Sequence, residues 1–200
     1  MEEAWRELLA EVQQLLKPLG WRKEGGNFRQ FLPDGLGWII QFQRDRYNTA
    51  EDISFTVNAG VYFEKNVPAA NRRFREYDCQ VRARPACLSP RYGRDTWWHL
   101  GEGADPTVLW EELRTFLLED VLPFLDRFPT RERTVELILN GEAQAWTDMN
   151  ILHLQTARLL ADMGHGGQVL MLIEPIRNER FQALAVEIRE KEKLESDSDD

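Results

Sequence analysis

The chain has 200 residues, of which 42% are hydrophobic and 10% aromatic, and its formal net charge is -9. This size suits one hydrophobic core with a small addition, and no apolar run approaches the roughly 20 residues of a membrane-spanning helix. The acidic, amphipathic start MEEAWRELL is unlike a secretory signal, so we expect a soluble, cytoplasmic protein. The acidic balance also argues against a protein that coats duplex DNA.

The first half of the chain predicts one helix and then a series of strands. Apolar residues at helical spacing predict a helix over residues 2–17, and Pro18 and Gly20 favour its end. Strands are predicted at residues 21–24, 27–32, 37–44, 53–63 and 79–84. Because short turns rather than helices join them, we expect an antiparallel sheet of about five strands with one face buried.

A second long helix is predicted after Asp105-Pro106, since aspartate is a good N-cap and proline is favoured at the first helical position. Pro123 should kink or end this helix. The two helices could together cover the apolar face of the sheet. The fold class expected for residues 1–128 is therefore an α+β two-layer domain.

Residues 129–194 predict a helical extension. Thr130 could cap one helix, and Asp148 could cap a second that ends near Gly164. A third stretch over about 167–193 would complete a helical hairpin, which could pack on the first domain, on another protein, or on a second copy in a homo-oligomer. Residues 195–200 are acidic and without apolar side chains, so a disordered tail is expected there.

The strand at 53–63 has one apolar face and one polar, uncharged face. If the neighbouring strands point the same way, the polar face gathers six candidate binding residues: Gln41, Gln43, Asn58, Tyr62, Arg82 and Arg84. Amides offer donors and acceptors, and arginine offers a planar fork for carboxylate or phosphate. This pattern predicts a binding surface; the alternative is a plain solvent face with amide ladders.

The segment DTWWHLGEG, residues 95–103, adds two candidate binding residues, Trp98 and His99. Adjacent tryptophans on an extended chain point to opposite sides, so one could enter the core while the other stays partly exposed. An exposed tryptophan beside arginines and His99 would suit a binding hot spot. The alternative is that both tryptophans fill space at the end of the sheet.

Residues 72–94 hold seven arginines against Glu76 and Asp78, a net charge of +5. This arginine island could meet an acidic partner or a phosphate. Its alternative reading is a solvated loop.

The sequence contains no glycine-rich phosphate loop, HExxH, GxSxG or CxxC motif. His99, His153 and His165 lack metal-ligand spacing, so neither a metal nor another cofactor is predicted. His99 with Glu102 or Asp105 could act as a general base and its orienter, but no spacing demands it. The two cysteines, Cys79 and Cys87, are expected to be reduced in the cytoplasm, with a bridge across a turn as the alternative.

Three blocks occur in an order that resembles the bacterial family called domain of unknown function 4304. They are LLKPLGWRKEGGNFRQF (15–31), IIQFQRDRYNTAEDISFTVNAGVYF (39–63), and CQVRARPACL with DTWWHL (79–100). The resemblance covers roughly residues 8–128 and leaves the helical extension out. It implies a bacterial cytosolic protein but no activity or catalytic residues. By analogy only, families of this size often act as immunity or accessory proteins that bind a toxin or another enzyme.

The leading hypothesis is a non-enzymatic protein-binding module with an immunity-like, accessory or scaffold role. The rival is an enzyme acting on a small phosphate- or carboxylate-bearing substrate, with Arg82 and Arg84 as the anion clamp and His99 as the base. A third, weaker hypothesis is nucleic-acid binding through residues 72–94. Convergence of the two arginines and His99 in one pocket would favour the enzyme.

Overall fold

The computed structural model describes residues 1–65, 73–143 and 153–196. In this part of the chain the centre is a six-stranded antiparallel sheet in the order β1-β2-β3-β4-β5, with β6 paired to the other end of β4. The strands are β1 (Arg22–Glu24), β2 (Asn27–Phe31), β3 (Gly37–Arg44), β4 (Asp52–Tyr62), β5 (Val81–Ala83) and β6 (Trp98–Gly101). The predicted α+β class with an antiparallel sheet is confirmed, and β6 is the strand that sequence reasoning did not separate out.

Alternate residues of β4 enter the main hydrophobic core, as the period-two pattern predicted. Its apolar face continues onto β3, and both strands pack against the helices. The buried residues of β3 and β4 in this core are Trp38, Ile40, Phe42, Ile53, Phe55, Val57, Ala59 and Val61.

Among the described residues, the helices over this face are α1 (Glu2–Leu16), α2 (Pro85–Leu88), α3 (Pro106–Phe116) and α4 (Leu122–Asp126). The predicted cap of α3 is present, because Asp105 Oδ1 accepts a hydrogen bond from the Thr107 amide at 2.8 Å. A π-helical turn, Leu117–Val121, joins α3 to α4, and Pro123 lies in the first turn of α4. The interruption expected at this proline therefore takes the form of a π turn, since proline has no N–H to donate.

The C-terminal helices follow the sheet, as predicted. They are α5 (Arg131–Leu139), α6 (Leu154–Leu160), α7 (Gly166–Ile173) and α8 (Glu179–Ser196). Thr130 caps α5, whereas the cap expected at Asp148 lies outside the described residues. Buried residues of these helices belong to the same hydrophobic cluster as the sheet.

A disordered tail is predicted from residue 195, but residues 195 and 196 belong to the last turn of α8. Residues 197–200 lie outside the described range. None of the described helices combines the length and the apolar character that crossing a membrane requires.

Candidate functional site

The predicted polar groups of β3, β4 and β5 lie on one face of the sheet, opposite the main core. The antiparallel register places Gln41 opposite Asn58, and Gly60 opposite both Ile39 and Arg82. Directly opposed residues of neighbouring strands share a face, so these side chains are on the same side. We call this side the second face.

One end of the second face, the covered half, is buried beneath residues 73–80. Phe74 is 2% exposed, and its ring stacks on Tyr62 with centroids 4.6 Å apart. Ile39 and Cys79 complete a second, smaller hydrophobic cluster with them. Tyr62, a candidate binding residue, is therefore an interior side chain of this cluster.

Two arginines fasten residues 73–80 to the sheet. Arg82 donates from Nε and Nη2 to the two carboxylate oxygens of Glu76, at 2.8 and 3.0 Å, and Glu76 is buried. Arg29 donates to the carbonyl oxygen of Phe74 at 2.8 Å. The hydrogen bond to Glu76 raises the pKa of Arg82, whereas burial lowers that of Arg29. We call residues 73–80 the cover. Because a bidentate arginine–carboxylate pair is strong, Arg82 holds the cover on the sheet, and its guanidinium is not free to bind a ligand.

Gly60 permits this close cover, because a Cβ atom there would lie 2.7 Å from the sulfur of Cys79. Cys79 is a buried free thiol that donates to the Arg75 carbonyl oxygen at 3.5 Å. Burial, and then the negative charge of Glu76, raises the pKa of this thiol well above its ordinary value. Since the thiolate is the reactive form, Cys79 is poorly suited to act as a nucleophile.

At the other end of the second face, the open half, a hydrogen-bonded network of amides surrounds Asn58. Its Nδ2 donates to Gln41 Oε1 at 3.0 Å and to Gln43 Oε1 at 2.7 Å, and its Oδ1 accepts from Arg84 Nε at 3.1 Å. Arg84 also pairs with Asp95. Asn58 is only 2% exposed, whereas Gln43 is exposed. The predicted amides and Arg84 are thus brought together, with the centre of the network buried and its rim in water.

The two adjacent tryptophans point to opposite sides, as the alternation predicted. Trp98 faces the main core, where it is 4% exposed, stacks on Phe55 and donates to Glu112 at 2.9 Å. Trp97, which was not singled out, lies on the second face with its ring centroid 5.3 Å from the guanidinium carbon of Arg84. The sequence showed that one tryptophan would face each way, but only the register of β6 on β4 determines which.

His99 lies at the far end of the open half, and its Nδ1 is 2.9 Å from Ser54 Oγ. Its opposing residue Ser54 is six residues along β4 from Gly60, the partner of Arg82. At about 3.3 Å per residue, this spacing separates His99 from Arg82 by roughly 20 Å along the strand. A general base must reach the same substrate as the anion clamp, so the arrangement required by the enzyme hypothesis is not formed here.

Most described arginines of the island are paired with carboxylates. The pairs are Arg73 with Glu24, Arg82 with Glu76, Arg84 with Asp95, and Arg91 with Glu119. Three of these four carboxylates come from outside residues 72–94, so the fold neutralises much of the charge that the sequence concentrates there. A nucleic-acid surface needs unpaired cations, and this pairing argues against one.

Within the described ranges, no group of three or more His, Cys, Asp and Glu side chains is placed to hold a metal ion. The cavities of 220 to 610 Å³ formed by described residues are lined by side chains other than Gln41, Gln43, Asn58 and Arg84. These cavities therefore lie away from the open half.

These features define a class: a two-layer α+β domain with helices on one sheet face, a partly open polar face on the other side, and C-terminal helices added. The chain belongs to the family described as domain of unknown function DUF4304, whose model matches residues 12–127. The match confirms the resemblance in the sequence and leaves α5–α8 outside the family region. No curated protein and no solved structure matches the chain.

Proposed function

We propose that the protein is a non-enzymatic module that binds another protein through the open half of the second face. The observation that carries this proposal is the network in which Asn58 fixes Gln41, Gln43 and Arg84. Side chains that are already ordered lose little conformational entropy when a partner binds. The rim of this network offers amide groups, and the indole of Trp97 and the imidazole of His99 lie on the same open half.

Trp97 is the centre of the proposed contact surface. It is partly exposed, lies over Arg84 and donates to Asp95 at 3.3 Å. Tryptophan and arginine are among the residues most enriched at binding hot spots, because they bury much area in a defined orientation. The proposal therefore replaces Trp98, which is interior, with Trp97 as the anchor.

The open half suits a protein better than a small anionic substrate. Arg82 is committed to Glu76, and Arg84 to Asn58 and Asp95. Small-molecule sites are concave, and the cavities named above lie away from the open half. We place the protein in the bacterial cytoplasm, and the family analogy favours an immunity-like or accessory role in which it neutralises or positions its partner.

The test is affinity purification of the tagged full chain from its native host, with two surface variants. Trp97→Ala removes the anchor, and Gln43→Glu adds a negative charge while keeping an acceptor for Asn58. We expect a stoichiometric partner with the wild type and about a tenfold or greater loss of affinity in each variant, when binding is measured with the purified partner.

Gln14→Glu is the matched control, since Gln14 is exposed on α1 and the substitution is the same. It should bind as the wild type does. Arg82 and Arg84 are poor test positions, because both hold the fold together. If Trp97→Ala and Gln43→Glu retain the partner with unchanged affinity, the open half is not the contact surface.

A further inference from the structure

A cavity of about 610 Å³ lies between α5, the segment joining α6 to α7, and Lys65. Its apolar lining is formed by Val135, Leu139 and Met163. The volume is within the range of roughly 300–1,000 Å³ that is typical of small-molecule sites. Most of its lining belongs to the helical extension, outside the family region, and it is separate from the second face.

The guanidinium of Arg131 is a polar group in the lining of this cavity. Its Nη2 donates to the Lys65 carbonyl oxygen at 2.7 Å, and its guanidinium lies 5.8 Å from the centroid of the Phe63 ring. Its Nε is buried and finds no hydrogen-bond partner among the described residues. Arg131 as a whole is only partly buried and lines the cavity, so its outer N–H groups can donate to an acceptor on a ligand.

The charges at the rim favour a singly charged anion. Lys65 and Arg131 are cationic and Glu132 is anionic, while Glu136 is occupied by Arg133 at 2.6 Å. His165 adds a ring whose Nδ1 is 3.1 Å from Gln168 Oε1. Among the side chains that line the cavity, this leaves about one positive charge, and the carboxylate of Asp34 accepts a hydrogen bond from the Arg131 amide nearby. So small a positive balance suits a singly charged carboxylate better than a phosphate dianion.

We propose that this cavity binds a small amphiphilic monocarboxylate. The apolar body of the ligand lies on Val135, Leu139 and Met163, and its carboxylate accepts a hydrogen bond from Arg131. An arginine fork suits the planar carboxylate, and the apolar lining distinguishes an amphiphile from a small polar acid such as acetate.

The experiment uses the full chain and two probes of equal length, octanoate and 1-octanol, titrated calorimetrically. Octanoate should bind at least about tenfold more tightly than 1-octanol. Arg131→Gln should remove this difference by weakening octanoate alone. Arg114→Gln is the matched control, because Arg114 is exposed on α3 and neither it nor its partner Glu111 lines the cavity; it should leave both affinities unchanged.

A second variant, Leu139→Trp, fills the cavity while retaining Arg131 and should weaken both probes. Urea unfolding of each variant confirms that it is folded. The proposal is overturned if folded wild type binds no octanoate at millimolar concentration, if the two probes bind equally, or if Arg131→Gln binds octanoate as the wild type does.

Discussion

The covered half and the open half of the second face share one strand, β4, and use it in opposite ways. In the covered half, Tyr62 and Gly60 lie beneath Phe74 and Cys79. In the open half, Asn58 holds polar neighbours whose outer edges stay in water. Both halves have the same polar, uncharged character in the sequence, so the covering segment, rather than strand composition, determines which part is interior.

The largest expected effect is the loss of the cover in Phe74→Ala. Phe74 is buried against Tyr62, Phe31 and Arg29, so its removal leaves a cavity and exposes a charged neighbour. The free energy of unfolding should fall by about 3–4 kcal/mol, as measured by urea denaturation. Tyr77→Ala, an exposed aromatic of the same segment, should change it by less than about 0.5 kcal/mol.

If both substitutions have equally small effects, residues 73–80 do not cover the sheet. The comparison between the two halves would then fail, because Tyr62 would belong to the same exposed surface as Gln43.

A smaller effect is expected on the pH dependence of the unfolding free energy, through the thiol of Cys79. Burial raises the pKa of Cys79 in the folded chain, so the folded state retains this proton more tightly than the unfolded state. The resulting stabilisation is fully present below the unfolded thiol pKa of about 8.5 and is lost as the pH rises above it, by up to about 1.4 kcal/mol per pH unit.

Urea denaturation between pH 7 and pH 10 should therefore show a steeper decline for the wild type than for Cys79→Ala, which has no thiol to titrate at this position. Parallel declines would show that the thiol is accessible to water and that the covered half opens readily.

The smallest effect is expected in the open half. Trp97→Ala removes a partly exposed ring and a cation–π contact with Arg84, which is worth about 0.5–1 kcal/mol at such sites. The unfolding free energy should fall by no more than about 1 kcal/mol, although partner binding should be strongly impaired. A loss as large as that of Phe74→Ala would indicate that Trp97 is a core residue and would remove the contrast between the halves.

Much of the fold could be predicted because its signals are local. The dipeptide Asp105-Pro106 is enough to predict the start of α3, and the alternation in β4 is visible in that strand alone. The cover could not be predicted in this way, because Phe74 and Tyr77 both lie among charged residues and nothing local shows that only Phe74 is buried. One signal was present: Gly60 lies inside a strand, where glycine often marks close approach of another segment.

The candidate site was predicted in part for a similar reason. The alternation of side chains along each strand predicts that one polar face gathers Gln41, Gln43, Asn58 and Arg84. The structure joins these four residues by hydrogen bonds. The burial of Glu76 could not be predicted, since a carboxylate in an arginine-rich stretch is usually solvated, and its pair with Arg82 is seen only in the structure. Arg131 was not selected at all, because its role depends on packing between helices that are distant in sequence.

The layers around Gly60 determine how the backbone amides of β4 can exchange with solvent. Around Gly60, β4 is paired with β3 and β5 and is screened on one face by the helices and on the other by residues 73–80. Backbone amides there can exchange with solvent only when one of these layers detaches, whereas the loop at residues 45–51 has no such screen. Exchange rates along a single strand would therefore show whether the cover separates as its own cooperative unit or only when the whole domain unfolds.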